Sequence, residues 1–130
     1  MSAWESIGDA RLEAIVGRLV AHFFDDFIIG YLFTGKDPAR IAAHELELAR
    51  AHLGGPSAYS GRPLPEVHKP LRINRGHFRR RLAIVAHVLR EEGVDEAIVE
   101  EWLSHERALE PAIVDGSDCA PPSGTSSPTQ

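Results

Sequence analysis

The chain has 130 residues, enough for one domain with a single hydrophobic core, and its 43% apolar content is typical of a globular protein. A formal net charge of −5 argues against a dedicated nucleic-acid-binding protein, which usually carries a basic stripe. The only cysteine, Cys119, excludes an internal disulfide, and the longest apolar run, Phe27 to Phe33, is too short to cross a bilayer.

Two amphipathic helices are predicted in the first half of the chain. Apolar residues at three- and four-residue steps predict the first helix, with Asp9 as its cap. This stripe comprises Leu12, Ile15, Val16, Leu19, Val20, Phe23, Phe24 and Phe27. Gly30 breaks the pattern before Tyr31-Leu32-Phe33. Asp37-Pro38 opens a second helix, because a proline in the first turn sacrifices no hydrogen bond, and Gly54-Gly55-Pro56 ends it.

The second half contains a loop, a short turn and two more helices. Residues 56–65 are rich in proline, serine and glycine and predict a loop. A short helical turn carrying His68 follows and ends at Pro70. We expect further helices from Asn74 to Glu92, closed by a glycine, and from Asp95 to about Leu109. Because no segment alternates with period two, the predicted fold class is all-α.

The C-terminal residues differ in composition from the rest of the chain. From Asp115 onward serine, proline, threonine and glycine dominate, and large apolar side chains are almost absent. Such a segment cannot bury enough surface to offset the entropy lost on ordering. We therefore predict a folded domain over residues 1–113 and a disordered tail over residues 114–130.

The most informative motif surrounds His68, which lies on a short element between two amphipathic helices. A neutral imidazole aimed from there into an apolar cleft is what a haem iron needs as its proximal ligand. The order of motifs resembles the truncated haemoglobins, in the residues Leu53-Gly54-Gly55-Pro56, Tyr59-Ser60-Gly61, Val67-His68, Ile73 and His77-Phe78. The similarity extends from Trp4 to Ile113. It implies a truncated globin fold, a two-over-two helical sandwich around haem b.

The resemblance also implies which residues contact the haem. His68 occupies the proximal position and is predicted to bind the iron. Phe33 corresponds to the phenylalanine that packs on the porphyrin, and Phe78 is a further expected neighbour, although both are also suitable core residues. The second helix forms the distal wall. On one of its faces lie Ile41, His44, Glu45, Leu48 and His52, and the first four are predicted to contact the haem. The other face comprises Ala42, Leu46, Ala49 and Leu53.

The sequence leaves three roles open for His44. It falls where many truncated haemoglobins carry a lysine or a histidine. There the side chain bonds a haem propionate or binds the iron as a sixth ligand. The third alternative is a solvated surface histidine.

The expected distal pocket departs from the family pattern. The usual tyrosine of the first long helix becomes Val20 in an alignment without gaps, which we prefer, or Phe24 in one with a four-residue deletion before Phe33; neither carries a hydroxyl. The usual polar pair of the distal helix becomes Ile41 and Glu45. An ionised Glu45 only accepts hydrogen bonds, so it would oppose the negative charge on bound dioxygen. Arg81 falls at a family position facing the distal side, where a guanidinium could neutralise Glu45 and donate to a ligand. The alternative for Arg81 is a surface charge within Arg79-Arg80-Arg81.

These residues predict a haem b protein that binds diatomic ligands, oxygen or nitric oxide. Nitric oxide dioxygenation or peroxide reduction with an external reductase is open, so the resemblance leaves enzymatic activity undecided. Nothing at the N-terminus resembles a signal peptide, and we expect a cytoplasmic protein without nucleic-acid or membrane partners. The competing hypothesis is a haem-free globin-fold module for interaction or sensing, in which the altered distal face reflects lost cofactor use.

Overall fold

A computed structural model describes residues 1–56 and 72–114, and all regular structure in these two ranges is helical. The elements are α1 (Ala3–Ile7), α2 (Asp9–Asp25), a 3-10 helix (Gly30–Phe33), α3 (Pro38–His52), α4 (Arg75–Glu91), α5 (Glu96–Ala108) and α6 (Glu110–Ile113). The predicted all-α class is confirmed. The turn predicted around His68 and the tail from residue 115 lie outside the described residues, as does most of the predicted loop.

The four long helices form two layers. Helix α2 packs against both α3 and α4, while α5 packs against α4 and α3. The pair α2–α3 therefore lies over the pair α4–α5, which is the two-over-two sandwich. The largest fully buried apolar side chains come from both layers: Phe23, Leu12, Ile15, Leu53, Leu89, Val16, Val85, Val88 and Val99. No helix within the described ranges is long and apolar enough to span a membrane.

The start of α2 differs from the prediction. The residue at the N-cap is Gly8, whose φ of 88° lies in the region that favours glycine. The prediction that Asp9 caps this helix is therefore wrong. The Asp9 carboxylate instead accepts two hydrogen bonds from Arg50 at 2.9 and 2.8 Å, and one from Trp4 Nε1 at 2.8 Å. These donors, Arg50 first, lower the pKa of Asp9 to about 2.

The end of α2 also differs from the prediction. The helix ends at Asp25, and the carboxylate of Asp26 accepts the backbone N–H groups of Ile28 and Ile29 at 2.9 and 3.0 Å. A side chain that binds backbone donors two and three residues ahead turns the chain out of the helix. Phe27 is consequently 98% exposed, so its predicted place in the buried stripe is wrong.

Helices α3 and α4 begin where the sequence predicts, and a side chain caps each of them. The Asp37 carboxylate accepts the Ala39 N–H at 3.2 Å, with Pro38 in the first turn. The Asn74 side chain accepts the His77 N–H at 2.8 Å, and the Asn74 N–H donates to His77 Nδ1 at 3.2 Å. This reciprocal pair is a capping box in which a histidine takes the place usual for glutamate.

Candidate functional site

Helix α3 is covered on both sides, as its two apolar faces predict. On one face Leu46 and Ala49 are buried, together with Leu53 just beyond the helix end. On the other face the predicted haem-facing residues Ile41, His44, Glu45 and Leu48 are half-buried. His52, assigned to that second face, is only 6% exposed. The half-buried face is thus partly apolar and carries an imidazole beside a carboxylate.

Arg81 on α4 pairs with Glu45 on α3. Arg81 Nη1 donates to Glu45 Oε2 at 2.9 Å, and Nη2 donates to Glu45 Oε1 at 2.7 Å. Two parallel bonds of this kind fix the orientation of both groups. The Arg81 side chain is 16% exposed and that of Glu45 19%, so the alternative of a surface charge for Arg81 does not hold. The predicted proximity of the two residues is present, 36 residues apart in sequence.

Glu106 and His52, which are not among the predicted haem contacts, complete this cluster. Arg81 also donates through Nε to Glu106 Oε1 at 2.7 Å and through Nη2 to Glu106 Oε2 at 3.1 Å. Glu106 Oε2 lies 3.1 Å from His52 Nε2. Because an ionised carboxylate only accepts hydrogen bonds, the proton of that contact belongs to His52 Nε2. We call Glu45, Arg81, Glu106 and His52 the ion cluster.

A sequence signal for Glu106 existed. Val99, Trp102 and Leu103 are buried on α5, and Glu106 follows at the next position of the same stripe. A charged residue on a buried apolar stripe is rare unless it is paired. Glu106 is 1% exposed, so this position in the pattern indicated a buried ion pair. The identity of its partner, 25 residues away, could not be read from any local pattern.

Glu106 and Arg81 stabilise each other in their charged forms. Burial alone would raise the pKa of Glu106, but the Arg81 guanidinium and the hydrogen bond from His52 outweigh it and hold that pKa below its usual range. Burial alone would lower the pKa of Arg81, but Glu106 and Glu45 raise it well above its ordinary value. Arg81 is therefore a permanent cation within the fold.

Aromatic rings connect the ion cluster to Phe33. The Arg81 guanidinium carbon lies 4.8 Å from the ring centroid of Phe23, within range of a cation–π interaction. Phe23 in turn stacks on Phe33, with ring centroids 6.0 Å apart and planes 6° from parallel. Phe33 also packs on Phe24 at 5.0 Å. The half-buried ring of Phe33 is thus connected to Arg81 by contacts through the ring of Phe23.

The other predicted aromatic neighbour and the adjacent histidine have structural partners. Phe78 is 2% exposed and belongs to the core on α4. The His77 ring accepts the Asn74 N–H through Nδ1, while its Nε2 lies 3.2 Å from the Tyr31 hydroxyl. Both ring nitrogens of His77 are therefore engaged. This histidine links the start of α4 to the 3-10 helix.

A groove lies between α2 and α3, with a volume of about 370 Å³. Its lining is mostly apolar and small: Gly17, Val20, Ala21, Phe24, Asp25, Pro38, Ala39 and Ala42. Val20 and Phe24, the two candidates for the position of the family tyrosine, both line this groove and carry no hydroxyl. His68 lies outside the described residues. Within the described ranges, no three or more His, Cys, Asp or Glu side chains form a group that could hold a metal ion.

Comparison with known proteins decides the family. Residues 2–114 match the family model described as bacterial-like globin. The chain belongs to this globin family. This truncated globin is 31% identical over 109 residues to a group 1 truncated hemoglobin of Mycolicibacterium paratuberculosis, covering 84% of this chain and 80% of that protein. It is 26% identical over 94 residues to a group 1 truncated hemoglobin of Tetrahymena pyriformis, covering 72% and 78%.

Solved structures show the same fold for the truncated globin. A truncated hemoglobin from Tetrahymena pyriformis, in its Fe(III) form, superposes with a TM-score of 0.82 at 22% identity, over 88% of this chain and 98% of that one. The 2/2 hemoglobin from Synechococcus with covalently attached heme gives a TM-score of 0.77 at 19% identity, over 85% and 94%. These similarities confirm the predicted two-over-two globin fold.

Proposed function

We propose that this truncated globin binds haem b and, through the haem iron, a diatomic ligand such as oxygen or nitric oxide. Membership of the globin family over residues 2–114 is the observation that carries the proposal. The names of the relatives support it, because they are truncated hemoglobins, and one solved neighbour carries a covalently attached heme. Haem iron supplies reversible ligand binding and one-electron redox chemistry, which no side chain provides.

The described side chains fit a haem group chemically. Haem is a flat, mostly apolar disc with two carboxylates on one edge, and it needs apolar walls and cationic or polar partners. Phe33, Ile41 and Leu48 are apolar and only half-buried, so each retains surface for a ligand. His44 offers an imidazole on the same face of α3, and Arg81 offers a cation that pairs with Glu45 of that face. Phe78 is assigned to the wall by the family resemblance.

We propose His68 as the proximal ligand. The support is its spacing from Gly54-Gly55-Pro56 before it and from His77-Phe78 after it, which follows the family order. His77 is the nearest other histidine in sequence, and both of its ring nitrogens are engaged with Asn74 and Tyr31. A histidine ligand needs one free ring nitrogen, so His77 is a poor alternative.

We propose His44 as the residue that competes with exogenous ligands for the sixth position of the iron. It lies on the half-buried face of α3 next to Glu45. The distal residues Val20 and Ile41 supply no hydroxyl or amide that could organise a ligand instead. A bond to the iron requires the imidazole nitrogen within about 2 Å of the metal, the distance typical of such bonds. The alternative role is a hydrogen bond to a propionate.

The charges near the distal wall favour redox or sensing chemistry over tight oxygen storage. Glu45 is acceptor-only, and its partner Arg81 already uses four of its five N–H donors within the ion cluster. One donor of Nη1 is left for a ligand. Nitric oxide dioxygenation or peroxide reduction, with electrons from an outside reductase, is the enzymatic form of this proposal.

The test is titration of the purified full-length protein with ferric haem, followed by visible absorption. We expect a Soret band that saturates at one haem per chain. A folded, helical protein by circular dichroism that gives no specific Soret band would contradict the proposal. That result would favour the alternative of a haem-free interaction or sensory module.

A further inference from the structure

We propose that Glu106 and His52 are positioning residues: they hold the Arg81 guanidinium in the orientation in which it pairs with Glu45, and so set the charge on the distal wall. The haem-linked part of this inference rests on the proposed function. The geometry within the protein does not, because all four residues of the ion cluster lie in the described ranges. Neither Glu106 nor His52 belongs to the predicted haem contacts.

The arrangement of donors shows how Arg81 is fixed. Its Nε edge faces Glu106 and its Nη edge faces Glu45, so the planar guanidinium bridges carboxylates from two different helices. A planar fork held on two sides cannot rotate without breaking charge-assisted hydrogen bonds. The guanidinium carbon also lies over the Phe23 ring, 4.8 Å from its centroid. The contacts of Arg81 with Glu106 on α5 therefore help to fix the position of the Glu45 carboxylate.

His52 acts on Arg81 indirectly, through Glu106. Its Nε2–H donates to Glu106 Oε2, the oxygen that also accepts from Arg81 Nη2. The His52 ring also stacks on the His105 ring, with centroids 5.7 Å apart, and the Trp102 ring centroid lies at 6.4 Å. This packing restrains the imidazole, which in turn orients the Glu106 carboxylate. The order of dependence is His52, then Glu106, then Arg81, then Glu45.

Stability alone is a weak reason for this cluster. A buried ion pair is often replaced by apolar residues of similar volume without loss of stability. An apolar residue at position 106 would simply continue the stripe of Val99, Trp102 and Leu103. Glu106 is instead 1% exposed and gives the Arg81 guanidinium a second carboxylate partner besides Glu45. Because the interaction energy between charges falls with distance, the Glu106 charge acts most strongly on groups close to it, such as those of the distal wall.

The first experiment needs no substitution in the ion cluster and no haem. We expect the Arg81 Nε–H resonance in a nitrogen-15 NMR spectrum of the full-length protein to exchange slowly with water. The Arg90 Nε–H is the internal control, since it bonds Glu96 in a pair whose side chains are 50% and 60% exposed. An Arg81 signal that exchanges as fast as that of Arg90 would overturn the proposal.

The second experiment uses Glu106→Gln and His52→Phe, with Glu96→Gln as a control for charge removal far from the cluster. We expect both test variants to lose about tenfold or more of the Arg81 Nε–H exchange protection, equivalent to about 1.4 kcal/mol. The control variant should leave it unchanged. If both test variants fold and keep full protection, Glu106 and His52 do not hold Arg81.

The haem-linked part is tested on haem-loaded protein with carbon monoxide as the probe ligand. Glu106→Gln removes one buried negative charge, so we expect a lower carbon monoxide stretching frequency and a higher iron midpoint potential, and neither change is expected in Glu96→Gln. A loss of thermal stability with unchanged frequency and potential would reduce Glu106 to a structural role. A protein without a Soret band would refute the proposed function, while the NMR measurement would still decide the positioning of Arg81.

Discussion

Gly55 lies against the indole ring of Trp4 so closely that a Cβ atom on Gly55 would be 2.5 Å from Trp4 Cγ. The ring cannot easily withdraw, because Trp4 Nε1 donates to Asp9 and the Trp4 backbone N–H donates to Leu53 O at 3.0 Å. The second glycine of the family motif therefore permits α1 to pack on the end of α3.

We accordingly expect Gly55→Ala to lower the free energy of unfolding by about 1–3 kcal/mol, the usual cost of overpacking. Gly17→Ala is the matched control, because Gly17 is exposed within α2 and a Cβ there meets nothing within 4 Å. That change should raise the free energy of unfolding by about 0.5–1 kcal/mol through helix propensity. Urea unfolding measures both, and equal effects of the two variants would contradict the close-packing account.

Asp26 should contribute to stability in a pH-dependent way. Hydrogen bonds from Arg80, followed by those from the Ile29 and Ile28 N–H groups, lower its pKa from 3.8 to about 2. A carboxyl whose pKa is depressed by folding stabilises the fold above its unfolded pKa, and this contribution disappears as the pH falls through the folded pKa. We expect Asp26→Asn to be destabilised relative to wild type at neutral pH. In urea unfolding at stepped pH, this difference should shrink from about pH 4 down to about pH 2, and a constant difference would contradict the assignment.

The His68→Ala variant tests the proximal ligand. We expect loss of stable haem retention, because one strong nitrogen donor is removed from the iron. The measurement is the Soret band after gel filtration of haem-loaded protein. His87→Ala is a suitable control, since His87 is 61% exposed on α4 and pairs with Glu91. A His68→Ala spectrum identical to wild type would show that another residue binds the iron.

The His44→Leu variant tests the sixth ligand. If His44 occupies the sixth position, ferric wild-type protein without added ligand should give low-spin electron paramagnetic resonance signals. These signals should vanish in the variant, because leucine offers no donor atom. High-spin signals from wild-type protein across neutral pH would instead assign His44 to a propionate or to the mouth of the pocket.

Removing residues 115–130 should leave both folding and haem binding unchanged, since that segment lacks core-forming side chains. The shortened chain would still include Val114, which packs partly against the core. Thermal unfolding and haem titration of the two chain lengths provide the comparison. A marked fall in melting temperature would reveal contacts made by the tail.

The helices were predictable because their signals are local. Apolar periodicity fixes the buried faces, and Asp37 and Asn74 cap α3 and α4 through neighbours two or three residues away. Asp9 and Phe27 were misassigned because each depends on something outside the helical pattern. Asp9 binds Arg50, 41 residues away, and Phe27 is turned outward by the side chain of Asp26.

Within the ion cluster, only the pairing of Glu45 with Arg81 could be predicted from the sequence. A carboxylate such as Glu45 in an apolar pocket calls for a cation, and the family resemblance indicated Arg81 as the partner. The contact of Glu106 with Arg81 joins residues 25 positions apart, and its contact with His52 joins residues 54 positions apart. No periodic spacing in the sequence indicates contacts over such separations. His68 and its role stay predictions.

The bridging position of Arg81 constrains the order in which substitutions can accumulate at these positions during evolution. Losing Arg81 first would strand two carboxylates without their cation, and a buried charge deprived of its partner typically costs about 3–5 kcal/mol. Losing Glu106 first, to a residue of similar volume, leaves Arg81 and Glu45 as a balanced pair. Substitution at position 106 should therefore precede substitution at position 81, so that sequences keeping Glu106 without a cation at position 81 ought to be rare among descendants of this chain.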